Sequence, residues 1–137
     1  MKDIKMMLVD DEERFLATTR KLLEKRGYDV QTASSGTEAL EKLKNNDIHV
    51  VILDVKMPGM DGIATLKEIK MRFPLVEVIM LTGHGTIEFA VDGLKAGATN
   101  FLMKPSDPNE LIAKAEEAFA KRQQLEERIR LAQMQNV

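Results

Sequence analysis

Residues 50–54 read VVILD, a run of four apolar side chains that ends in an aspartate. Such a short, wholly apolar run is typical of a strand that lies inside a sheet and is covered on both faces. On either side of it, four more short runs predict strands, at residues 5–9, 28–32, 76–81 and 100–103. The runs at 5–9 and 76–81 are also almost wholly apolar, whereas the run at 28–32 is mixed and predicts an edge strand.

Between these runs, apolar residues recur at the spacing of helices. Ser35 followed by Glu38 predicts a capping box at the start of one helix, and Asp107 before Pro108 predicts the start of another. Five strands that alternate with five helices predict an α/β fold. We expect a flavodoxin-like, doubly wound three-layer sandwich with a parallel sheet in the order 2-1-3-4-5 and an extended last helix.

Composition excludes several classes of function. The chain has 137 residues, enough for one domain, and its 20 Lys+Arg against 22 Asp+Glu give a net charge of -2. We therefore expect no direct nucleic-acid binding and no membrane association, since no apolar run approaches the ~20 residues of a membrane-spanning helix. The count of 0 cysteines excludes disulfides, thiol catalysis and thiolate metal sites, and it fits a cytoplasmic location.

Polar side chains follow four of the predicted strands. Asp10 and Asp11 come after the first, Asp54 after the third, Thr82 after the fourth and Lys104 after the fifth. In a doubly wound sheet, ligands bind beyond the carboxyl ends of the strands, where the strand order reverses. Three carboxylates there would repel one another, so either some of them stay protonated or a cation lies among them, and Mg²⁺ suits such oxygen ligands. Each residue alone is also compatible with a turn or a helix cap, Asp11 above all.

Five motifs stand in order along the chain: LVDDE at 8–12, DVKMPGMDG at 54–62, LTG at 81–83, KAGA at 95–98 and FLMKP at 101–105. With these motifs the chain resembles the receiver domain of two-component response regulators, and in particular the chemotaxis regulator. The resemblance covers about residues 4–120.

The resemblance implies that Asp54 is a phosphoacceptor. Its carboxylate would take a phosphoryl group from a sensor histidine kinase, a histidine phosphotransfer protein or a small phosphodonor. Asp11 and Asp54 would ligate Mg²⁺ directly, Asp10 would act through a bound water, and the backbone carbonyl of Lys56 would complete the protein ligands. Lys104 would pair with a phosphoryl oxygen.

The resemblance also implies a switch. The phosphoryl group would draw Thr82 toward it, and Phe101 would turn into the vacated space. This would repack the face of helix 4, strand 5 and helix 5, where an output domain, an output protein or a second copy would bind. Lys56 and His84 would modulate how water reaches the acyl phosphate, although for His84 a simple solvent position stays open. The peptide bond before Pro105 would be cis.

Three positions depart from the family or have no assigned role. Phe101 stands where many members carry Tyr, so a contact that needs the hydroxyl is absent while the steric role remains. Ser106 stands where the family often has an apolar or aromatic residue, so we expect different packing behind the site. His49 precedes a strand and has no partner that the sequence identifies.

The last helix continues beyond a minimal receiver. Apolar and other residues recur at heptad spacing along it, at Leu111, Ala115, Ala118, Arg122, Leu125, Ile129 and Ala132. We therefore expect a receiver domain at residues 1–122 and a C-terminal extension of the last helix at 123–137. The extension could be a dimerising or output-linking helix or a solvated helix end. The chain could be a stand-alone receiver or the receiver part of a longer regulator.

Other functions on this fold fit the sequence less well. A hydrolase with an aspartate nucleophile would need an acid–base residue near Asp54, but Lys56 lies there and no cap domain is inserted, so we expect no turnover of a diffusible substrate. A flavin carrier would need a Gly- or Ser-rich phosphate loop after the first strand, where this chain has acidic residues. A docking or dimerisation domain that works without phosphate stays as the alternative to the signalling receiver.

Overall fold

The fold is a parallel sheet with helices on both sides. The computed structural model describes residues 3–55, 62–83 and 87–135, apart from the side chain of Ile87. Its elements in chain order are β1 Lys5–Val9, α1 Glu13–Lys25, β2 Asp29–Ala33, α2 Gly36–Asn45, β3 Val50–Asp54, α3 Gly62–Arg72, β4 Glu77–Thr82, α4 Ile87–Lys95, β5 Asn100–Met103 and α5 Pro108–Gln135. The strands pair in parallel in the order β2-β1-β3-β4-β5, which confirms the predicted flavodoxin-like fold and the edge position of β2. None of the helices in the described ranges is long and apolar enough to cross a membrane.

Successive side chains of the central strands point alternately into two hydrophobic cores, one on each face of the sheet. In β3, Val50 and Ile52 pack into the core on the α1 and α5 side, while Val51 and Leu53 pack into the core under α2, α3 and α4. All residues of β3 are buried. This two-sided burial explains why the strand is apolar up to Asp54, whose position at its end is fixed by the packing of the residues before it.

Strands β2 and β4 each begin one residue later than predicted. Tyr28 is buried in the core on the α1 and α5 side, and its hydroxyl donates to the Glu116 carboxylate of α5 at 2.6 Å. Burial, together with the hydrogen bond and the charge of Glu116, raises the pKa of Tyr28 to about 12. Val76 is also buried, in a turn where its amide donates to the carbonyl of Phe73 at 3.0 Å. Apolar burial therefore starts before the sheet pairing does.

The predicted helix starts are confirmed with one correction. The Ser35 hydroxyl accepts from the amide of Glu38 at 3.1 Å and caps α2. The Glu38 carboxylate, however, accepts from the amide and hydroxyl of Ser34 at 2.9 and 2.8 Å, and not from the amide of Ser35 as a capping box requires. At α5, the Asp107 carboxylate accepts from the amide of Asn109 at 2.9 Å.

His49 has partners that its sequence position did not reveal. Its side chain is 16% exposed, and its Nδ1 accepts from the backbone amide of Lys5 at 3.0 Å. Its ring lies 5.0 Å from the ring of Phe119 on α5. Both partners are distant in the chain, so no local pattern around His49 indicates them.

His49 is expected to make the stability of the fold depend on pH. Burial lowers its pKa and the charges of Arg122 and Lys5 lower it further, against the opposing charges of Asp47 and Glu126. The unfolded chain therefore binds the proton more readily, so the stabilisation from the neutral ring is complete above the unfolded value of about 6.5 and is lost as the pH falls toward the folded pKa. Between about pH 7.5 and about pH 5, the free energy of unfolding should fall more for the wild type than for His49→Gln. Urea unfolding of both proteins measures this, and a constant difference between them would contradict it.

Candidate functional site

The carboxyl ends of the central strands meet at one edge of the sheet. Backbone hydrogen bonds continue the ladder past the strand ends, because the amides of Asp10, Val55 and Lys104 donate to carbonyls of neighbouring strands at 3.1, 3.0 and 2.7 Å. The residues that follow β1, β3 and β5 are therefore held side by side by the sheet itself. This is the arrangement that the predicted site requires.

Three aspartates lie together at this edge. Asp10, Asp11 and Asp54 each offer a carboxylate oxygen, and these oxygens lie within 4.8 Å of one another. Asp10 and Asp54 are buried, with 0% and 8% exposure, while Asp11 is exposed. A set of oxygen donors that is open to solvent on one side fits Mg²⁺, which keeps several of its waters when it binds to proteins.

The two oxygens of Asp10 have different partners. Oδ2 accepts from the Lys104 ammonium at 2.6 Å, and Oδ1 accepts from the backbone amide of Glu12 at 2.9 Å. Helix α1 starts after Glu12 with no side-chain hydrogen bond at its cap, so the interpretation of Asp11 as a helix cap is wrong. Asp11 instead points its carboxylate into the acidic cluster.

The Lys104 ammonium lies at the centre of the charged groups. Besides Asp10, it has Glu12 at 3.7 Å and Asp54 at 3.8 Å, and it stands 4.8 Å from the ring centroid of Phe15. Burial lowers the pKa of Lys104, but the hydrogen bond and charge of Asp10, with the charges of Asp54 and Glu12, outweigh burial and raise it. The side chain is therefore a fixed positive charge beside Asp54. The peptide bond between Lys104 and Pro105 is cis.

Thr82 and Phe101 lie on neighbouring strands beside this cluster. Thr82 is 1% exposed at the end of β4, and its Oγ1 lies 3.5 Å from the carbonyl of Gly83. In the register of β4 and β5, Phe101 stands opposite Met80, two residues before Thr82. Phe101 is half-buried and packs against the core under α2, α3 and α4. Thr82 therefore lies one residue past the β4 residue that pairs with Asp54, while Phe101 lies one strand further away, on β5.

Three residues around the site have no role that the sequence predicted. Glu12 and Phe15 contact the Lys104 ammonium, and nothing local in the sequence indicates this, because Lys104 is distant in the chain. Gly62, at the start of α3, comes so close to β3 that a Cβ would lie 2.5 Å from the carbonyl oxygens of both Asp54 and Val55. Only glycine fits there, and its position at an element boundary was the available signal.

Two predicted site residues lie outside the described part of the chain. Lys56, expected both as a metal ligand through its backbone carbonyl and as a modulator, falls in the segment 56–61. His84, the second predicted modulator, falls in the segment 84–86. Their predicted roles stay predictions.

Comparisons with known proteins agree with this geometry. A family model for the response regulator receiver domain matches residues 6–116. The transcriptional regulatory protein ZraR of Escherichia coli strain K12 is 42% identical over 118 residues, which cover 86% of this chain and 27% of ZraR. A response regulator of Rickettsia bellii described as NtrX-like is 39% identical over 114 residues, which cover 82% of this chain and 24% of that protein. The chain thus spans roughly a quarter of the length of these curated relatives.

Two solved structures of receiver domains match this chain over nearly their whole length. The receiver domain of NtrX from Brucella abortus has a TM-score of 0.80 at 35% identity, over 85% of this chain and 98% of that one. A response regulator receiver domain protein from Clostridium thermocellum has a TM-score of 0.85 at 40% identity, over 89% of this chain and 98% of that one. Since the sheet order, the acidic cluster and the family match agree, the chain belongs to the response regulator receiver domains of two-component signalling.

Proposed function

We propose that this receiver domain is switched by phosphorylation of Asp54. The observation that carries the proposal is the cluster of three carboxylates around Asp54 with the Lys104 ammonium 3.8 Å from its Oδ2. Phosphoryl transfer needs in-line positioning and charge neutralisation more than acid–base chemistry. A carboxylate flanked by a cation site and an ammonium offers both.

The donor is a phosphohistidine of a sensor kinase or phosphotransfer protein, or a small phosphodonor. One Asp54 oxygen forms a bond to phosphorus while the bond from phosphorus to the donor atom breaks, and the donor leaves with that electron pair. Bound Mg²⁺ would supply positive charge to the phosphoryl oxygens. Asp11 and Asp54 would hold it directly, and the backbone carbonyl of Lys56 would complete the protein ligands. Asp10 would act through a water, which fits the hydrogen bonds that both of its oxygens already accept.

Lys104 pairs with a phosphoryl oxygen on Asp54, since its ammonium already lies 3.8 Å from Oδ2 of that carboxylate. Lys56 and His84 modulate the access of water to the acyl phosphate. We expect no turnover of a diffusible substrate, because the phosphoryl group stays on the chain until water removes it.

Thr82 and Phe101 form the switch, and beryllofluoride, an analogue of the phosphoryl group, tests it. With Mg²⁺, it should shift the NMR resonances of both residues in the wild type and leave Asp54→Asn unchanged. Thr82→Ala should bind the analogue without moving the Phe101 ring, because no hydroxyl is drawn toward Asp54, whereas Thr82→Ser should restore the shift. A wild type that binds beryllofluoride with unchanged Phe101 resonances would contradict the switch.

The surface that responds is the face of α4, β5 and α5. Several large apolar side chains of α4 and β5 are well exposed: Phe89 45%, Val91 48%, Leu94 41% and Met103 37%. Exposed apolar side chains grouped on adjacent elements mark surfaces that bind other proteins. An output domain, an output protein or a second copy binds there after the face repacks.

The end of α5 offers a second place for dimerisation. Leu111, Ala115 and Ala118 are buried, whereas residues 126–135 are all exposed, with Ile129 at 45%. We propose residues 1–122 as the receiver and 123–137 as an extension that pairs with a second copy or leads to an output domain. The chain then acts as the receiver part of a larger cytoplasmic regulator.

Removal of the extension tests the pairing. If the extension pairs after phosphorylation, truncation after Arg122 should keep the mass in light scattering at that of one chain, while the full chain approaches that of two. Ile129→Glu in the full chain should act like the truncation, because it places a charge on the apolar stripe. Gln124→Glu adds the same charge elsewhere on the helix as a control. An equal mass for the full and truncated chains would reject this role for the extension.

A further inference from the structure

The Lys104 ammonium has an aromatic neighbour in addition to its carboxylates. It lies over the ring of Phe15 on α1, 4.8 Å from the centroid. A cation within about 6 Å of a ring centroid is attracted to the negative face of the ring. Phe15 is half-buried and packs against the core on the α1 and α5 side, so the helix holds its ring in place.

The carboxylates alone would place the ammonium at Asp10. Its distance is 2.6 Å to Asp10 but 3.8 Å to Asp54, where a phosphoryl group would be attached. To contact a phosphoryl group on Asp54, the ammonium must move away from Asp10 and weaken its hydrogen bond to that carboxylate. The ring face of Phe15 offers an attraction that does not depend on the hydrogen bond to Asp10. It therefore keeps the long, flexible lysine side chain near the site during that movement.

The ring of Phe15 borders a small pocket. The pocket has a volume of about 100 Å³ and lies between α1 and the start of α5. Ser106, a small residue directly after the cis peptide bond, also lines this pocket. The ring is thus anchored on the helix and is not tightly enclosed on the side of Ser106.

We propose that Phe15 is a positioning residue that places the Lys104 ammonium for the phosphoryl group on Asp54. The inference rests on the phosphoacceptor role proposed above. Phe15 acts through Lys104 and forms or breaks no bond itself.

The first test compares phosphorylation rates with acetyl phosphate and Mg²⁺. Phe15→Leu keeps an apolar side chain but removes the ring face, and it should lower the second-order rate constant about two- to fivefold, as expected for a partly exposed cation–π contact. Phe15→Tyr keeps the ring face and should restore the rate. Phe119→Leu is the matched control, because Phe119 is a half-buried ring against the same core but contacts His49 at the other end of the sheet. Its rate should equal that of the wild type.

The second test reads the contact without any phosphorylation. The side-chain methylene protons of Lys104 should show an upfield ring-current shift in NMR spectra, which Phe15→Leu removes and Phe15→Tyr and Phe119→Leu keep. A Phe15→Leu protein that is phosphorylated at the wild-type rate, or a Phe15→Tyr protein as slow as Phe15→Leu, overturns the inference alone. A wild type that takes up no phosphoryl group from acetyl phosphate or from a phosphohistidine protein overturns the proposed function and this inference together.

Discussion

Asp11→Ala is expected to abolish Mg²⁺ binding while the fold stays intact. Asp11 is the exposed member of the carboxylate cluster, and its side chain makes no cap for α1, so its removal costs the fold little. Removal of a group that only hydrogen-bonds to a metal ligand already lowers the affinity for the metal about 10- to 100-fold. Removal of a direct ligand should therefore lower the Mg²⁺ affinity by more than ~100-fold. Titration calorimetry or chemical-shift titration with Mg²⁺ measures the loss.

Two further variants make this test specific. Asp29→Ala removes an exposed carboxylate at the start of β2, far from the cluster, and should bind Mg²⁺ like the wild type. Lys104→Met should bind Mg²⁺ more tightly, on the order of tenfold, because Mg²⁺ no longer competes with the Lys104 ammonium for Asp10. The effect should be measurable because solvent screens the charge of that ammonium only in part. An Asp11→Ala protein that titrates like the wild type would reject the metal assignment.

The fold could be predicted because local patterns and global packing agree. β3 is apolar up to its last residue since both faces are covered, and the polar residue at its end, Asp54, marks the edge where ligands bind. The limits of β2 and β4 were misplaced by one residue for a physical reason. Tyr28 and Val76 are buried in the two cores directly before their strands begin, and apolar character does not tell at which buried residue the sheet pairing starts.

The sequence predicted which residues lie at the candidate site but not which contacts they make. Strand ends that converge on one edge implied that Asp10, Asp54 and Lys104 are close together, and they are. The hydrogen bond of Lys104 to Asp10, and its position over Phe15, depend on how α1 packs against the sheet. Such contacts join residues far apart in the chain, and only the folded structure specifies them.

The most direct test of the central claim is the intact mass of the chain after incubation with a phosphodonor and Mg²⁺. The wild type should gain one phosphoryl group from acetyl phosphate or from a phosphohistidine protein, because Asp54 lies between the acidic cluster and Lys104. Asp54→Ala, and the wild type without Mg²⁺, should gain none. The same adduct on Asp54→Ala, or no adduct on the wild type with either donor, would contradict the account and leave a receiver fold that works without phosphate.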